Sequence, residues 1–368
     1  MKKLLTLALV LSSATAFATR SRVTALGNAA HLTDVSGMYT KPAQMMMLAD
    51  SVTIESGSTN VLPTTATTNS GNQGAEGLMI RSMDDAKFAL SLGHDDETVF
   101  GLRKAANSAT VVTIAQQNPI ELSYGMKAGD ISFAGTLMYS NFENKTAASE
   151  QKENSMGLKF GAAAAAWDAS ATLILADKWE AGTGAALDDY KGTGFDINAG
   201  YFVMSDLYVY GGVKSTGFKT TNATVAEKDV ENMNIHVGVL STIKKEGTEF
   251  FYGARLNNTT SKDKVTTTDS KSTEMNMPLI IGLEADANSW LTLRGSVTQT
   301  LLLVDTKKVE TGTTTTTDTN PGANTTTLSA GAGLKFNKIV LDGSILASGS
   351  QVINSANLLG QVGMTYSF

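Results

Sequence analysis

The sequence predicts an all-β fold: a closed antiparallel transmembrane β-barrel of about sixteen strands, with fourteen as the alternative count. Three observations point there. The final stretch, Leu358 to Phe368, alternates strictly, with Leu358, Gly360, Val362, Met364, Tyr366 and Phe368 on one face and mostly small or polar residues on the other. Connections between strands alternate between short and long along the chain. Mean hydropathy is −0.05, built from alternation rather than blocks, and no run approaches the ~20 apolar residues that a spanning helix needs.

Taken in order, the chain opens with a secretory signal peptide over residues 1–18. Lys2 and Lys3 form its basic region, Leu4 to Leu11 its apolar core, and Ala16-Phe17-Ala18 a small-residue cleavage site. With 0 Cys, an exported chain has no disulfide framework and no thiolate metal site. A net charge of −6 argues against nucleic acid as a partner. Residues 19–50 do not read as a strand; Met38 to Leu48 reads as a short helix broken near Pro42.

From Ser51 to Phe368 the text is strands. Phe195, Ile197, Ala199, Tyr201 and Val203 alternate with Asp196, Asn198 and Gly200; Met233, Ile235, Val237 and Val239 alternate with Asn234, His236 and Gly238. Phe250, Tyr252, Ala254 and Leu256 alternate with Glu249 and Arg255, and Leu291, Leu293, Gly295 and Val297 with Thr292 and Arg294. Alternation alone also fits a soluble sandwich; the connections separate the two. Tight turns are expected at Ser82–Asp85, Gly129-Asp130, Trp167-Asp168, Ser205-Asp206, Lys245–Gly247, Ala287–Ser289 and Asn337-Lys338. Polar loops, several rich in Thr, are expected near 59–76, 94–118, 142–154, 176–191, 217–231, 258–273, 302–326 and 349–357. Short turns on one side and long loops on the other describe a barrel of the bacterial outer membrane. Closure follows because hydrocarbon offers no hydrogen-bond partner to a free sheet edge.

Parity puts Glu121, Lys127, Lys159, Asp196, Lys214, His236, Glu249, Arg255, Glu284, Arg294, Lys335 and Asp342 on the lumen side. Their mixed signs predict a cross-linked or hydrated interior without strong ion selectivity. Aromatics near strand ends, among them Tyr124, Phe160, Trp290 and Phe336, suit interfacial girdles, although β-propensity also accounts for them. The run Gly161 to Ala166, with Gly135, Gly211 and Gly295, is expected on the lipid side, where small residues allow close packing or relieve twist. His94-Asp95-Asp96-Glu97 bunches possible metal ligands, but reads better as a solvated loop. No metal, cofactor or catalytic site is expected: no Gly-x-Ser-x-Gly, Walker A or His-Glu-x-x-His motif appears. A surface His/Asp/Ser hydrolase remains a remote alternative.

Two stretches carry a resemblance. A last strand closing on Tyr366-x-Phe368 resembles the C-terminal signal that the barrel-assembly machinery reads. The run Arg22-x-x-Ala25-Leu26-Gly27-Asn28-Ala29, followed by His31, Asp34 and Tyr39-x-Lys41-Pro42-Ala43, resembles the N-terminal segment of FadL-like outer-membrane proteins, with Lys41 where that family has Asn. Within that family the opening is most similar to a porin-like subfamily of predatory Bdellovibrio-type bacteria. The resemblance implies that residues 19–50 fold into the lumen as a hatch containing Arg22, Asn28, His31, Asp34, Tyr39, Lys41 and Pro42. It also implies a homo-oligomeric ring that holds or organises outer-membrane phospholipid or lipopolysaccharide. The alternative is a diffusion channel, or a transporter of hydrophobic substrates, working through individual lumens.

Overall fold

The computed structural model describes residues 19–57, 75–107, 116–146, 150–183, 186–222, 225–265, 268–311, 314–319, 325–348 and 359–368. The expected signal peptide, most of the expected loop at 59–76 and the one at 349–357 lie outside these. The strands are β1 (Ser51–Ser56), β2 (Glu76–Met83), β3 (Ala86–Leu92), β4 (Ile120–Ala128), β5 (Ile131–Lys145), β6 (Glu150–Ala164), β7 (Trp167–Thr183), β8 (Ala186–Met204), β9 (Leu207–Asn222), β10 (Val225–Lys245), β11 (Thr248–Val265), β12 (Thr268–Asp286), β13 (Leu291–Thr311), β14 (Thr314–Thr319), β15 (Thr325–Phe336), β16 (Ile339–Ser348) and β17 (Leu359–Ser367). Each pairs antiparallel with its neighbour, and β1 pairs with both β2 and β17, from Ser51 opposite Ser367 to Ser56 opposite Val362. That last ladder closes the cylinder and leaves no free edge. Because β14 and β15 both pair with β13, they are two pieces of one stave. The barrel therefore has sixteen staves.

Alternation sorts the side chains. On β10, Met233, Ile235, Val237 and Val239 are exposed on the outer face while Leu240 is buried inside. The outward run from Met233 to Ile243, apolar except for Ser241, rises roughly 34 Å along the strand, or about 24 Å after a tilt near 45°, close to the height of a membrane barrel's apolar band. At the chain terminus Val362, Met364, Tyr366 and Phe368 face outward, and the Tyr366 and Phe368 rings meet edge-on at 5.6 Å. The tight turns rest on residues that tolerate left-handed backbone: Asp84 (φ 52), Asn337 (φ 53), Gly129 (φ 61) and Gly247 (φ 65). The turn expected at Trp167-Asp168 lies just before it, since Trp167 already opens β7.

Two expectations are corrected. Within the described residues, the stretches expected as loops at 142–154, 176–191, 217–231, 258–273 and much of 302–326 are paired strand, because long hairpins continue well past the apolar band. Thr has high β-propensity, and cross-strand ion pairs such as Lys219–Asp229 (3.1 Å) and Lys228–Asp263 (2.8 Å) serve as rungs in water. Second, the Gly161–Ala166 run is not one smooth lipid-facing strip. Period-two alternation turns Gly161 and buried Ala163 into the lumen, where a Cβ on Gly161 would lie 2.8 Å from the Ala43 nitrogen.

Residues 19–50 occupy the inside of the cylinder. Helix α1 (Arg20–Ala25) packs against β13, β15, β16 and β17, and 3₁₀ turns at Ser36–Tyr39 and Pro42–Met47 replace the single broken helix expected there. The second turn lies against β3 to β7. Val35, Met38, Tyr39, Met45 and Met46 form one buried cluster with Leu78, Ile80, Ala89 and Ala134 of the wall. Leu26, Ala29 and Leu32 form another with Leu240 and Phe251. Flexible methionines suit the first cluster, whose surroundings are irregular.

Candidate functional site: a lumen with two plugs

The first plug is the hatch, and ion pairs fix it to the wall. Arg22 reaches Glu284 of β12 with two nitrogens at 2.7 and 2.9 Å, and Asp34 of the hatch at 3.7 Å. Arg294 of β13 shares Glu284 at 2.6 Å and also binds Asp342, whose other oxygen accepts from the Thr19 hydroxyl at 3.2 Å. Such forked guanidinium–carboxylate pairing fixes orientation as well as position. Lys41 reaches across to Asp168 at 2.8 Å and the Tyr208 hydroxyl at 3.1 Å. His31 bonds Glu249 at 2.8 Å; burial pulls its pKa below the ordinary histidine value, outweighing Glu249. Asn28, with φ 55, shapes the bend after α1. Pro42 sits at the start of the second 3₁₀ turn, over Gly161.

A third contact set joins Arg20 to Glu76 at 3.2 Å and to the His94 ring at 2.7 Å, while the Arg20 backbone N–H donates to Glu55 at 2.7 Å. Tyr39 stacks flat on His94 with centroids 3.5 Å apart, and its hydroxyl meets Ser91. His94, Asp95 and Asp96 are therefore buried within the barrel, not solvated as the sequence suggested. Among the described residues no group of three or more His, Asp or Glu is arranged to hold a metal. These charges hold protein to protein.

The second plug is the connection between β3 and β4, which folds inward and carries helix α2 (Glu97–Asn107) against β7, β8 and β9. Asp96 caps the helix, accepting from the Thr98 and Val99 backbone N–H groups at 2.9 and 3.0 Å. Burial would raise its pKa, but Lys159 at 3.0 Å and these donors hold it below the usual carboxylate value. Asp95 differs: burial pushes its pKa up to about 6, and its Oδ1 has no hydrogen-bond partner among the described residues. Arg103 on the same helix, itself buried, binds Asp177 at 3.0 Å and Glu153 at 2.9 Å. Leu102 completes an apolar seal with Trp179, Tyr190, Phe218 and Val230.

The lumen-facing charges read from parity fall into three groups. Glu121, Lys159, Glu249, Glu284, Arg294 and Asp342 are locked in the plug networks, with Lys159 bridging Glu121 at 2.8 Å and Asp96, and Glu249 held by His31. Lys127 and Lys335 lie at the short-turn rim, Lys335 bonded to Asp286 at 3.0 Å. Asp196, Lys214, His236 and Arg255 line β8 to β11 between the plugs, and no ion pair joins them among the described residues. Sequence reading missed Arg20, Glu55, Glu76, Arg103, Glu153, Asp177, Asp168 and Tyr208. Parity marks several as inward, and Asp96 ahead of Val99, Leu102 and Arg103 at helical spacing signals a capped amphipathic turn. Which partner each charge meets depends on plug placement, which no local pattern encodes.

No protein-family model and no curated protein matches the chain. Solved structures similar to it include the CymD monoaromatic hydrocarbon channel, at 11% identity and a TM-score of 0.44, covering 95% of this chain and 97% of that one. Outer-membrane expressed OmpT of Vibrio cholerae gives 11% identity and a TM-score of 0.38 over 78% of this chain and 100% of that one. A porin structure refined at 1.8 Å gives 10% and 0.37 over 86% and 99%. These likenesses say nothing of what this barrel carries. Its own closure, apolar outer band and charged interior are those of a porin-like outer-membrane β-barrel, here with a filled lumen.

Proposed function

We propose that this protein is an outer-membrane conduit held shut at rest by its hatch and by α2, and opened when both plugs leave their seats. The observation that carries the reading is the wall chemistry. The plugs bind the barrel through pairs such as Arg22–Glu284, Lys41–Asp168 and Arg103–Asp177 as well as through three separate apolar clusters. Buried pairs specify one seat yet add little net stability over apolar packing, which suits an element that must dock in register and still come away. The test is conductance in planar bilayers. The intact protein is expected to be silent, and a variant with the latches of both plugs removed (Arg22→Ala and Lys41→Ala with Arg103→Leu) to give stepwise openings.

A second reading has its own support. On the outer face Met79, Phe88, Leu122, Tyr124, Leu137 and Phe160 surround Gly135 in an almost wholly apolar hollow of about 550 Å³. That is a seat for an acyl chain, and it favours the FadL-like reading in which copies of the chain assemble and hold outer-membrane lipid. Native mass spectrometry of the detergent-extracted protein tests this second reading. Oligomers with retained lipid support it, and a lipid-free monomer removes it.

A further inference from the structure

We propose that the inner wall of β9 to β11 carries a binding site for a small oxyanion, a carboxylate or phosphate group, centred on Arg255 with Lys214 and His236. The argument starts from contrast. The hatch and α2 cations Arg20, Arg22, Lys41 and Arg103, and the wall cations Lys159 and Arg294, each lie within ion-pair distance of a carboxylate. Lys214 and Arg255 do not, among the described residues, although both take inward positions. Arg255 is exposed there, so the space before it is wet.

The register brings the three together. Lys214 lies opposite Asn234, His236 opposite both Gly212 and Asn257, and Gly238 opposite Arg255. The two glycines let neighbouring rings lie flat on the wall: a Cβ on Gly212 would stand 2.7 Å from His236, and one on Gly238 would stand 2.5 Å from Tyr210. The Tyr210 and His236 rings lie 6.3 Å apart. Below, the gap is floored by Leu32, Leu240 and Phe251; above, it is roofed by Leu102, Phe218 and Val230. Between these seals β10 presents only Asn232, Asn234, His236 and Gly238 inward, over a strand length of about 34 Å.

Two carboxylates bear on the balance. Asp196 faces Lys214 across the β8–β9 ladder and takes the Asn198 amide at 2.8 Å, without an ion pair to Lys214. Glu274 shares a rung with Thr259, Asn234 and Lys214, roughly 13 Å along the strand from Arg255, and is bonded by Asn276. The gap thus holds two permanent positive charges and an imidazole against two carboxylates, each already taken by an asparagine amide, and Arg255 is the charge left without a partner among the described residues. Low-dielectric walls focus that field, and a guanidinium fork is shaped for a carboxylate or phosphate. The inference rests on the conduit reading for its purpose, naming the charge class of the solute, but the site itself needs only the barrel.

The test uses the mature full-length protein in detergent and two probes, 4-fluorobenzoate and inorganic phosphate. Fluorine NMR of the free probe should broaden with the wild-type site in a background whose hatch latches are removed (Arg22→Ala with Lys41→Ala), which opens the gap to the probe and in which every site variant is made. Arg255→Gln should weaken binding about tenfold, the scale of one lost charge-assisted contact; Lys214→Gln should weaken it less, and Arg255→Lys should retain part of it. Lys262→Gln, on the outer face, should match wild type. Competition by phosphate identifies the bare charge as the determinant, whereas failure of phosphate to compete assigns the site to organic acids that also lie against Tyr210. Either result supports the site. Equal broadening in wild type, Arg255→Gln and Lys214→Gln, or none with any of them while circular dichroism shows intact barrels, overturns it. Binding without conductance in any variant keeps the site and removes the conduit.

Discussion

Replacing Arg103 by Leu isolates what one buried ion pair does for the second plug. Arg103 spans Asp177 and Glu153, and all three are buried. The loss falls unevenly. Glu153 keeps the Ser140 hydroxyl at 2.8 Å and the Gln117 backbone N–H at 3.3 Å, whereas Asp177 already has one oxygen without a partner among the described residues. Removing the cation therefore strands Asp177, at a cost of about 3–5 kcal/mol typical of a broken buried pair. At ~1.4 kcal/mol per decade, the population with α2 undocked should rise about a hundredfold to a thousandfold or more. Hydrogen exchange over residues 97–107 in lipid nanodiscs measures that population. Adding Asp177→Asn to Arg103→Leu should return much of the protection, because the stranded charge is gone. Unchanged exchange in Arg103→Leu, or no recovery in the double variant, refutes the reasoning.

Other predictions follow from the same contacts. Gly161→Leu should push Pro42 and Ala43 off the wall, costing about 1–3 kcal/mol of overpacking, and should speed proteolysis within residues 36–47. Asp95→Asn should stabilise the protein at pH 7 and make little difference near pH 4. Burial raises this group's folded pKa to about 6, so its protonated form favours the fold at low pH, and that contribution fades as pH rises through 6. Thermal melts at the two pH values read the difference. Because the chain has 0 Cys, single cysteines report topology cleanly: Lys262→Cys on whole cells should react with an impermeant maleimide, and Leu256→Cys, within the apolar band, should not.

The barrel was legible because its rule is local. Period-two alternation and turn chemistry at Asp84, Gly129, Gly247 and Asn337 are written within a few residues of where they act. The long hairpins were not, since stretches such as Thr259 to Val265 look like loop until a partner strand supplies rungs such as Lys228–Asp263. Inward parity found Glu284, Arg294 and Asp342, but their meaning depends on Arg22, more than 250 residues earlier. Likewise His94 to Asp96 looked solvated because polarity in sequence does not distinguish a loop facing water from one folded into a charged lumen. The mixed signs along the inner wall concealed a segregation: paired charges face the plugs, and unpaired bases face the gap between them.

Single-channel recording tests the central claim most directly, since a barrel plugged twice must be closed. Purified wild-type protein inserted in a planar bilayer should give a flat baseline, and Arg22→Ala and Lys41→Ala combined with Arg103→Leu should give discrete steps under the same voltage and salt. Steady porin-sized steps from the wild type, indistinguishable from those of the unlatched variant, would contradict the account.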